Sequence, residues 1–326
     1  MSNFRRTPGR RSLLAAAPAV LLASAARAQD FPTRPIRFIV GFAPGGSADV
    51  MARILGQSLA ERIGQPVITD NRAGAAGTIG ADMVARSAPD GYTLLVGSVS
   101  NVVISATTMP VIPFVATTAF APIVLTATIP LVLVINPSLP VSSVEELVTY
   151  AKANPNKLSF ASGGQGVSNH LAGELFNRMA GVTITHVPYK GDGPGVASVV
   201  SGETHMMFAT ISTATPQVQG GRLRAIGVTT ARRASGMKDL PTIAEAGLPG
   251  YEVNVWNGVL APAATPSTVV RKLNDEIVRT LNLPEVRSRL RDLGFEIVGS
   301  TPEEFGEIIR ADLQKWPKIA KDAEAR

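Results

Sequence analysis

The sequence contains no cysteine among its 326 residues. This absence excludes a disulfide framework, thiol catalysis and metal sites built on cysteine. Apolar residues make up 45% of the chain, so a chain of this length can bury enough surface to be stable without covalent cross-links. The lack of cysteine is therefore compatible with an exported protein that relies on its core.

A clustered positive charge is also missing once the N-terminus is set aside. The chain has a net charge of +6, with 31 basic and 25 acidic residues, and five of the basic residues are arginines in residues 1–28, which hold no acid. The remainder carries 26 basic and 25 acidic side chains, a net charge of +1. Binding to DNA or RNA depends on concentrated positive charge that releases counterions. We therefore expect no nucleic-acid partner.

No apolar run has the length of a membrane span. The run LLAAAPAVLLASAA near the N-terminus is shorter than the roughly 20 residues that a spanning helix needs. It follows a basic segment and precedes the small-residue site Ala26-Arg27-Ala28, which is the pattern of a cleaved export signal. Residues 1–28 are therefore predicted to be a signal peptide. The pair Arg10-Arg11 leaves the twin-arginine and general secretory routes open, and either route gives a soluble periplasmic protein.

Apolar runs alternate with amphipathic segments along the mature chain. This pattern predicts an α/β fold with mainly parallel sheets flanked by helices. The run IRFIV at 36–40 predicts a strand, and the apolar positions of 48–63 predict a helix that Gly64 caps. The same alternation continues to the C-terminus.

Two local features carry predictions of their own. Residues 98–120 contain Pro110 and Pro113 and show no hydrophobic period, so we predict a loop there. Ser142 and Glu145 have the spacing of a capping box and predict the start of a helix.

Three glycine-rich loops each stand between a predicted strand and a predicted helix. They read APGGSAD at 43–49, SGGQGVSN at 162–169 and KGDGPG at 190–195. The first loop lacks the lysine of a phosphate-binding Walker loop, and the dinucleotide fingerprint GxGxxG is missing, so nucleotide binding is excluded. Free N–H groups at helix N-termini still attract anions. Because the loops offer serine hydroxyls and one cation, Lys190, they suit a carboxylate better than a phosphate.

Each of these features has a simpler interpretation. A single glycine loop is more often a tight turn that needs positive φ, and only the three together favour a binding site. Asp49 could either complement the helix dipole or bind a polar group of a ligand. Lys190 could be a solvated surface residue unless a cleft closes over it.

The sequence contains none of the common motifs of catalytic residues. The sequence has no GxSxG elbow, no HExxH motif and no paired-acid spacing. The histidines His170, His186 and His205 lie in separate segments. We therefore predict a binding protein without cofactor or metal, and not an enzyme.

Five longer motifs follow one another along the mature chain. They are GFAPGGSADVMAR, NRAGAAGTIGADMVARSAPDGYTLLVGS, FASGGQGVSNHLAGELF, HVPYKGDGPGVASVVSGE and LPTIAEAGLPGYEVNVWNGVLAPAATP. This succession resembles the Bug-type receptors of tripartite tricarboxylate transporters over essentially the whole mature chain. The resemblance implies a monomeric periplasmic solute-binding protein that captures a small carboxylate and delivers it to integral membrane permease subunits.

The resemblance also implies a two-domain periplasmic-binding-protein fold that closes like a Venus flytrap. Residues 29–128 plus 253–326 would form domain 1, residues 129–252 would form domain 2, and the ligand cleft would lie between them. Two alternatives remain open: a receptor that reports the ligand to a signalling system, and a periplasmic hydrolase.

Ligand contacts are carried over from the resemblance residue by residue. The first loop would contribute Phe42, Ala43, Gly45, Gly46, Ser47 and Asp49. The second loop would contribute Ser162, Gly163, Gly164, Gly166, Ser168 and His170. The third loop would contribute Tyr189, Lys190 and Gly191, and Ser98 and Ala209 would complete the cleft. His205 stands about where the family usually has an acid, so the identity of the carboxylate stays open.

Overall fold

The N-terminal strands and helices follow the alternation that the sequence predicts. The computed structural model describes Met1, residues 31–105 and residues 112–324. Apart from Met1, the predicted signal peptide lies outside these described residues, as do residues 106–111 of the predicted loop. None of the helices in the described ranges is both long enough and apolar enough to cross a membrane.

Three parallel strands form the first part of the sheet, in the order β2-β1-β3. They are β1 (Ile36–Val40), β2 (Val67–Asn71) and β3 (Thr93–Ser98), connected by helices α1 (Ser47–Ile63) and α2 (Thr78–Ala85). The apolar stripe of α1 is buried, as its spacing predicts. Gly64 ends α1 with a φ of 66°, a left-handed conformation that favours glycine and confirms the predicted cap.

A second set of parallel strands repeats this pattern in the order β7-β5-β6. The elements are α3 (Val144–Ala153), β5 (Ser159–Ser162), α4 (Ser168–Ala180), β6 (Thr185–Pro188), α5 (Asp192–Ser201), β7 (Met206–Thr210), α6 (Ile211–Gln219) and β8 (Arg224–Val228). In both sets a strand runs into a glycine-rich loop and the loop opens a helix. The repeat therefore places several helix N-termini at the strand ends.

The long strand β4 (Phe120–Ile135) joins the two sets. Its first part pairs antiparallel with β9 (Asn254–Pro262), which also pairs with β3. Its last part, Leu131–Ile135, pairs antiparallel with β7 and β8. The sheet is therefore mixed: parallel pairing holds within each set, whereas β4 and β9 run against their neighbours. An apolar run predicts a buried strand but does not reveal its direction.

The C-terminal segment adds a short strand and three helices to this sheet. The elements are α7 (Ser267–Leu281), α8 (Pro284–Asp292), β10 (Glu296–Ile297) and α9 (Pro302–Glu324). Strand β10 pairs with β4 at Ala127 and Thr128. The described residues from Pro32 onward form one compact unit, and the division into two domains stays a prediction.

The loop predicted for 98–120 is wrong over Ser100–Ile104, which form a π-helical turn. All five residues of this turn are buried. A segment that is buried on every side has no polar face, so its sequence shows no period from which a helix could be predicted.

The predicted capping box is displaced by one residue. Ser143, not Ser142, is the N-cap of α3, and its hydroxyl accepts a hydrogen bond from the N–H of Glu146 at 3.1 Å. The Glu146 carboxylate in turn accepts the N–H of Ser142 at 2.6 Å. The sequence SSVEE offers two registers for the same motif, and packing of Val144 and Leu147 in the core selects the later one.

Candidate functional site

The three glycine-rich loops lie in direct contact. The N–H of Ala43 donates to the carbonyl of Lys190 at 2.9 Å, which joins the first loop to the third. A Cβ atom added to Gly46 would lie 3.7 Å from the Cβ of Asp192. One added to Gly163 would lie 3.3 Å from the Cα of Gly191, which joins the second loop to the third. The contact at Gly163 is close enough that a side chain there would have to displace its neighbour, whereas Gly46 leaves ordinary van der Waals room.

A small cavity of about 40 Å³ lies where the loops meet. Its lining residues come from all three loops, from the end of β3 and its π-helical turn, and from β7 and β9. They are Phe42, Gly46, Ser47, Ala48, Asp49, Ser98, Ser100, Gly163, Val167, Ser168, Asn169, Asp192, Thr210, Val255 and Trp256.

Three of the described helices begin at this cavity. Helix α1 starts at Ser47, α4 at Ser168 and α5 at Asp192, and all three of these residues line the cavity. The residue before each helix provides no side-chain cap. The first N–H groups of a helix lack intrahelical partners and carry the positive end of its dipole. Together the three helix starts therefore favour an anion.

The first loop is held by Asp49, whose side chain is buried. Its carboxylate accepts hydrogen bonds from the N–H of Gly45 at 3.0 Å and from the amide of Asn71 at 3.0 Å, and it pairs with Arg53 at 2.9 Å. Burial by itself would raise the pKa of Asp49, but the hydrogen bonds from Arg53, Gly45 and Asn71 hold it below its usual value. Asp49 thus fixes the loop and also forms part of the cavity wall.

The second loop is held by side chains behind the cavity wall. The hydroxyl of Ser162 donates to the carbonyl of Gly164 at 2.9 Å and also contacts Nε2 of His186. Nδ1 of His170 accepts the N–H of Gly166 at 3.1 Å. Neither Ser162 nor His170 lines the cavity, so both act on the shape of the loop.

The rings of His170 and His186 pack against each other beneath this loop, with their planes inclined by 36°. Their ring centroids are 4.0 Å apart, and Phe160 stacks on His186 at 5.0 Å. Burial lowers the pKa of His170 to about 4. Burial, together with the neighbouring His170, lowers the pKa of His186 to about 3. Both rings are therefore neutral near pH 7.

The third loop contributes Asp192, the first residue of α5. Asn169 donates its amide to one carboxylate oxygen at 2.7 Å, and Thr210 donates its hydroxyl to the other at 2.8 Å. Burial raises the pKa of Asp192, and the hydrogen bonds from Thr210 and Asn169 oppose this rise. Asp192 is thus an acidic side chain in the wall of a cavity that favours anions.

The structure brings part of the predicted contact set to the cavity. Seven predicted residues line it: Phe42, Gly46, Ser47, Asp49, Ser98, Gly163 and Ser168. The other predicted residues are not among those that line it: Ala43, Gly45, Ser162, Gly164, Gly166, His170, Tyr189, Lys190, Gly191 and Ala209. The side chain of Lys190 is exposed. Ligand contact by each of these residues stays a prediction.

Several lining residues were not in the predicted contact set. They are Ala48, Ser100, Val167, Asn169, Asp192, Thr210, Val255 and Trp256. Ser100 was hidden in the segment predicted to be a loop, and its hydroxyl lies 3.0 Å from that of Ser168. Asp192 stands inside the third glycine loop, where an acid could have been noted as a departure from an otherwise anion-binding pattern.

Comparison with known proteins gives a consistent result. A family model described as "Tripartite tricarboxylate transporter family receptor" matches residues 51–324. A "UPF0065 protein in tcbD-tcbE intergenic region" from Pseudomonas sp. (strain P51) is 41% identical over 315 residues, which cover 95% of this chain and 94% of that protein. "Protein BugT" from Bordetella pertussis is 36% identical over 306 residues, which cover 94% of each chain.

Solved structures show the same architecture. The protein described as "R. palustris Rpa4515 with adipate" has a TM-score of 0.88 at 36% identity and covers 90% of this chain and 98% of its own. "MatC (Rpa3494) from Rhodopseudomonas palustris with bound malate" has a TM-score of 0.85 at 32% identity, with coverage of 89% and 99%. The periplasmic binding protein BugD has a TM-score of 0.86 at 32% identity, with coverage of 90% and 98%. The α/β periplasmic-binding-protein fold expected from the sequence is therefore confirmed.

Proposed function

Because this chain belongs to the tripartite tricarboxylate transporter receptor family, we propose that it captures a small carboxylate in the cavity and delivers it to a membrane transporter. The family consists of periplasmic solute-binding receptors, which are not enzymes. Its structural neighbours with adipate and with malate bind carboxylates. The specific solute and the delivery step belong to the proposal.

The observation that carries the proposal is the convergence of three helix N-termini on one cavity, none of them capped by the side chain of the residue before the helix. Among the described residues that line it, none is Lys, Arg or His. A phosphate usually recruits arginine or lysine, whereas a carboxylate can be held by backbone N–H groups and hydroxyls. The charge and the donors of the site therefore favour a carboxylate.

We further propose that the cavity lies between two lobes that close on the solute, with the boundaries 29–128 plus 253–326 and 129–252. The strand pairing supports this division. Strands β1, β2, β3 and β9 pair among themselves and with the first part of β4, and β5–β8 pair among themselves and with its last part. Lining residues come from both sets of strands. A ligand that contacts both lobes binds the closed form better and so selects it.

The remaining parts of the proposal follow from the same receptor role. The chain would be exported to the periplasm through its signal peptide, act as a monomer there, and present the closed form to integral membrane permease subunits. No cofactor and no metal would take part.

The test is a ligand screen on the mature chain, residues 29–326. Thermal shift and calorimetry would compare mono- and dicarboxylates with sugars, inorganic phosphate and amines. We expect a carboxylate at one hundred times its Kd to add about 2.7 kcal/mol to the free energy of unfolding. Stabilisation by sugars or phosphate alone, with no carboxylate active, would overturn the proposal.

A matched pair of variants ties the result to the cavity. Ser47 and Ser267 are each the first residue of a helix, α1 and α7, and neither helix has a side-chain cap. Ser47 lines the cavity, whereas Ser267 is exposed and does not line it. Ser47→Leu fills the cavity and is expected to abolish binding, while Ser267→Leu leaves it unchanged. Equal affinity in the two variants would contradict this location of the site.

A further inference from the structure

The cavity contains two acidic side chains, and they differ in how their charge is balanced. Asp49 pairs with Arg53 at 2.9 Å. Asp192 forms no ion pair with any described residue, and its hydrogen-bond donors Asn169 and Thr210 are neutral. A site that favours an anion through its helix N-termini therefore also holds an acidic group without a cationic partner. The presence of the Asp192 carboxylate calls for an explanation, because its negative charge repels an anionic ligand.

The orientation of the Asp192 carboxylate is fixed from both sides. One oxygen accepts the amide of Asn169 at 2.7 Å, and the oxygen of that same amide group accepts the N–H of Gly163 at 3.0 Å. The other oxygen accepts the hydroxyl of Thr210 at 2.8 Å and its N–H at 3.3 Å. With three donors in place, the carboxylate retains room for about one further hydrogen bond, since its two oxygens offer roughly four acceptor positions.

The Asp192 carboxylate, which retains this acceptor position, forms part of the cavity wall. Asp192 lines the cavity beside the start of α1, where the Cβ of Asp192 lies 3.7 Å from the Cβ position of Gly46. Thr210 and Asn169 line the cavity as well. A solute whose carboxylate binds at the start of α1 therefore has the Asp192 carboxylate as a close neighbour. A bare hydrocarbon or a second carboxylate there would leave the Asp192 charge unpaired or repelled.

We propose that Asp192 is the specificity-determining residue of the site: it accepts a hydrogen bond from a hydroxyl or ammonium group on the solute. The cavity then selects carboxylates that carry such a donor over the corresponding unsubstituted acids. This inference rests on the proposed function. A site built to pair with a ligand's donor discriminates strongly against an analogue that lacks it, because a buried polar group of the protein is then left without a partner.

The burial of Asp192 also favours solutes that carry a hydrogen-bond donor. It raises the pKa of Asp192, so the ionised form is less stable in the empty cavity than it would be in water. A hydroxyl or ammonium donor on the solute adds a hydrogen bond to the charged form and stabilises it. The binding energy of such a solute thus includes a contribution that an unsubstituted acid cannot make.

The test is calorimetric titration of the mature chain with acids that share a carbon skeleton. One series is succinate, malate and aspartate, and a shorter one is propionate, lactate and alanine; each differs only in hydrogen, hydroxyl or ammonium at C2. We expect the hydroxyl or the ammonium member of a series to bind about tenfold or more tightly than the unsubstituted acid. The tighter of the two identifies the donor.

Asp192→Asn is expected to reduce this preference to less than about threefold, because the neutral amide accepts a weaker hydrogen bond and no longer attracts a cation. Asp82→Asn, in α2 and outside the cavity lining, serves as the control and keeps the preference. Melting temperatures of both variants report whether they fold. The inference is overturned if the unsubstituted acids bind as tightly as their analogues, or if folded Asp192→Asn retains the preference.

Failure of this inference can be told apart from failure of the proposed function. If the broad screen finds a carboxylate ligand but no member of either series binds, or none shows a preference, only the role of Asp192 is overturned. If sugars or phosphate bind and no carboxylate does, the receptor function proposed above is overturned together with it.

Discussion

Asp49 in α1 and Asp82 in α2 form the same kind of ion pair but have different surroundings. Each pairs with an arginine four residues later, Arg53 at 2.9 Å and Arg86 at 2.8 Å. The Asp49 side chain is 4% exposed and also holds the first loop, whereas that of Asp82 is 23% exposed. The same pair of residue types can therefore support a binding loop at one position and contribute little at the other.

Asp49→Ala is expected to lower the free energy of unfolding by about 1–3 kcal/mol, because it leaves the donors of Gly45 and Asn71 without their partner. Affinity for the solute should fall as well, since the loop loses its shape. Asp82→Ala is the matched control and should cost at most about 0.5 kcal/mol. Urea unfolding of the two variants measures both values, and equal losses would contradict the role given to Asp49.

The neighbouring histidines His170 and His186 make stability depend on pH. His170 has a pKa of about 4 and His186 of about 3 in the folded chain, against about 6.5 when unfolded. Below about pH 6.5 the unfolded chain binds protons that the folded chain does not, so the free energy of unfolding falls as pH falls. The slope can reach about 1.4 kcal/mol per pH unit for each histidine near pH 5.

Replacing one ring should halve this contribution to the slope. His186→Gln removes one of the two depressed titrations, so its free energy of unfolding should fall less steeply than that of the wild type between pH 6.5 and pH 4.5. Denaturant unfolding at several pH values measures both slopes. Identical slopes would show that the buried pair does not govern acid stability.

At the scale of the elements, the sequence predicts those strands, helices and caps that depend on the pattern of a few neighbouring residues. The alternation of strand and helix, the apolar stripe of α1 and its Gly64 cap are all present, because period and turn chemistry act over a few residues. The π-helical turn Ser100–Ile104 was missed because burial on every side removes the period. The capping box shifted by one residue because tertiary packing decided between two equivalent registers.

Gly193 in the first turn of α5 tests whether the first and third loops must approach for binding. A Cβ atom there would lie 2.5 Å from the carbonyl oxygen of Pro44, a backbone atom that cannot turn aside. Gly193→Ala should therefore weaken solute binding by about 1–3 kcal/mol. Without ligand it should melt close to the wild type, because the proposed opening of the lobes would relieve the contact.

Gly306→Ala in α9 is the control for this substitution. Its Cβ would meet Arg310 and Pro122 only at ordinary distances of 3.7 and 3.8 Å. The variant should bind like the wild type and gain about 0.5–1 kcal/mol in stability from its helical position. Unchanged affinity in Gly193→Ala would mean that the two loops need not touch when the solute is bound.

At the scale of the whole molecule, the site was predictable in part. The glycine-rich loops predict the helix N-termini from the sequence alone. Seven of the predicted contact residues line the cavity. The rest of the wall depends on contacts between distant segments. Ser100 meets Ser168 across 68 residues, and Trp256 reaches the cavity from β9, which pairs with β3 and β4. No local pattern encodes such approaches, so the residues that shape the wall emerge only from the folded chain.

Closure of the two proposed lobes can be tested by locking them. The Cβ position of Gly46 and the Cβ of Asp192 are 3.7 Å apart, within the range of about 3.5–4.5 Å that disulfides span. Because the chain has no cysteine of its own, Gly46→Cys with Asp192→Cys introduces the only intramolecular pair. Oxidised without solute, this double variant should fail to take solute up, and reduction of the same sample should restore uptake.

Oxidation is the single variable in this comparison, so the loss of the Asp192 carboxylate affects both states equally. The single variant Gly46→Cys cannot form the bond within one chain and should bind equally with and without reductant. Solute uptake followed by calorimetry measures the difference. If the lobes open to admit the solute, a covalent bond across the loop contact must block entry, since both walls of the cavity are then held at their closed distance. Equal uptake by the oxidised and reduced forms would mean that the solute reaches the cavity without any separation of these loops, and the closing motion would have to be abandoned.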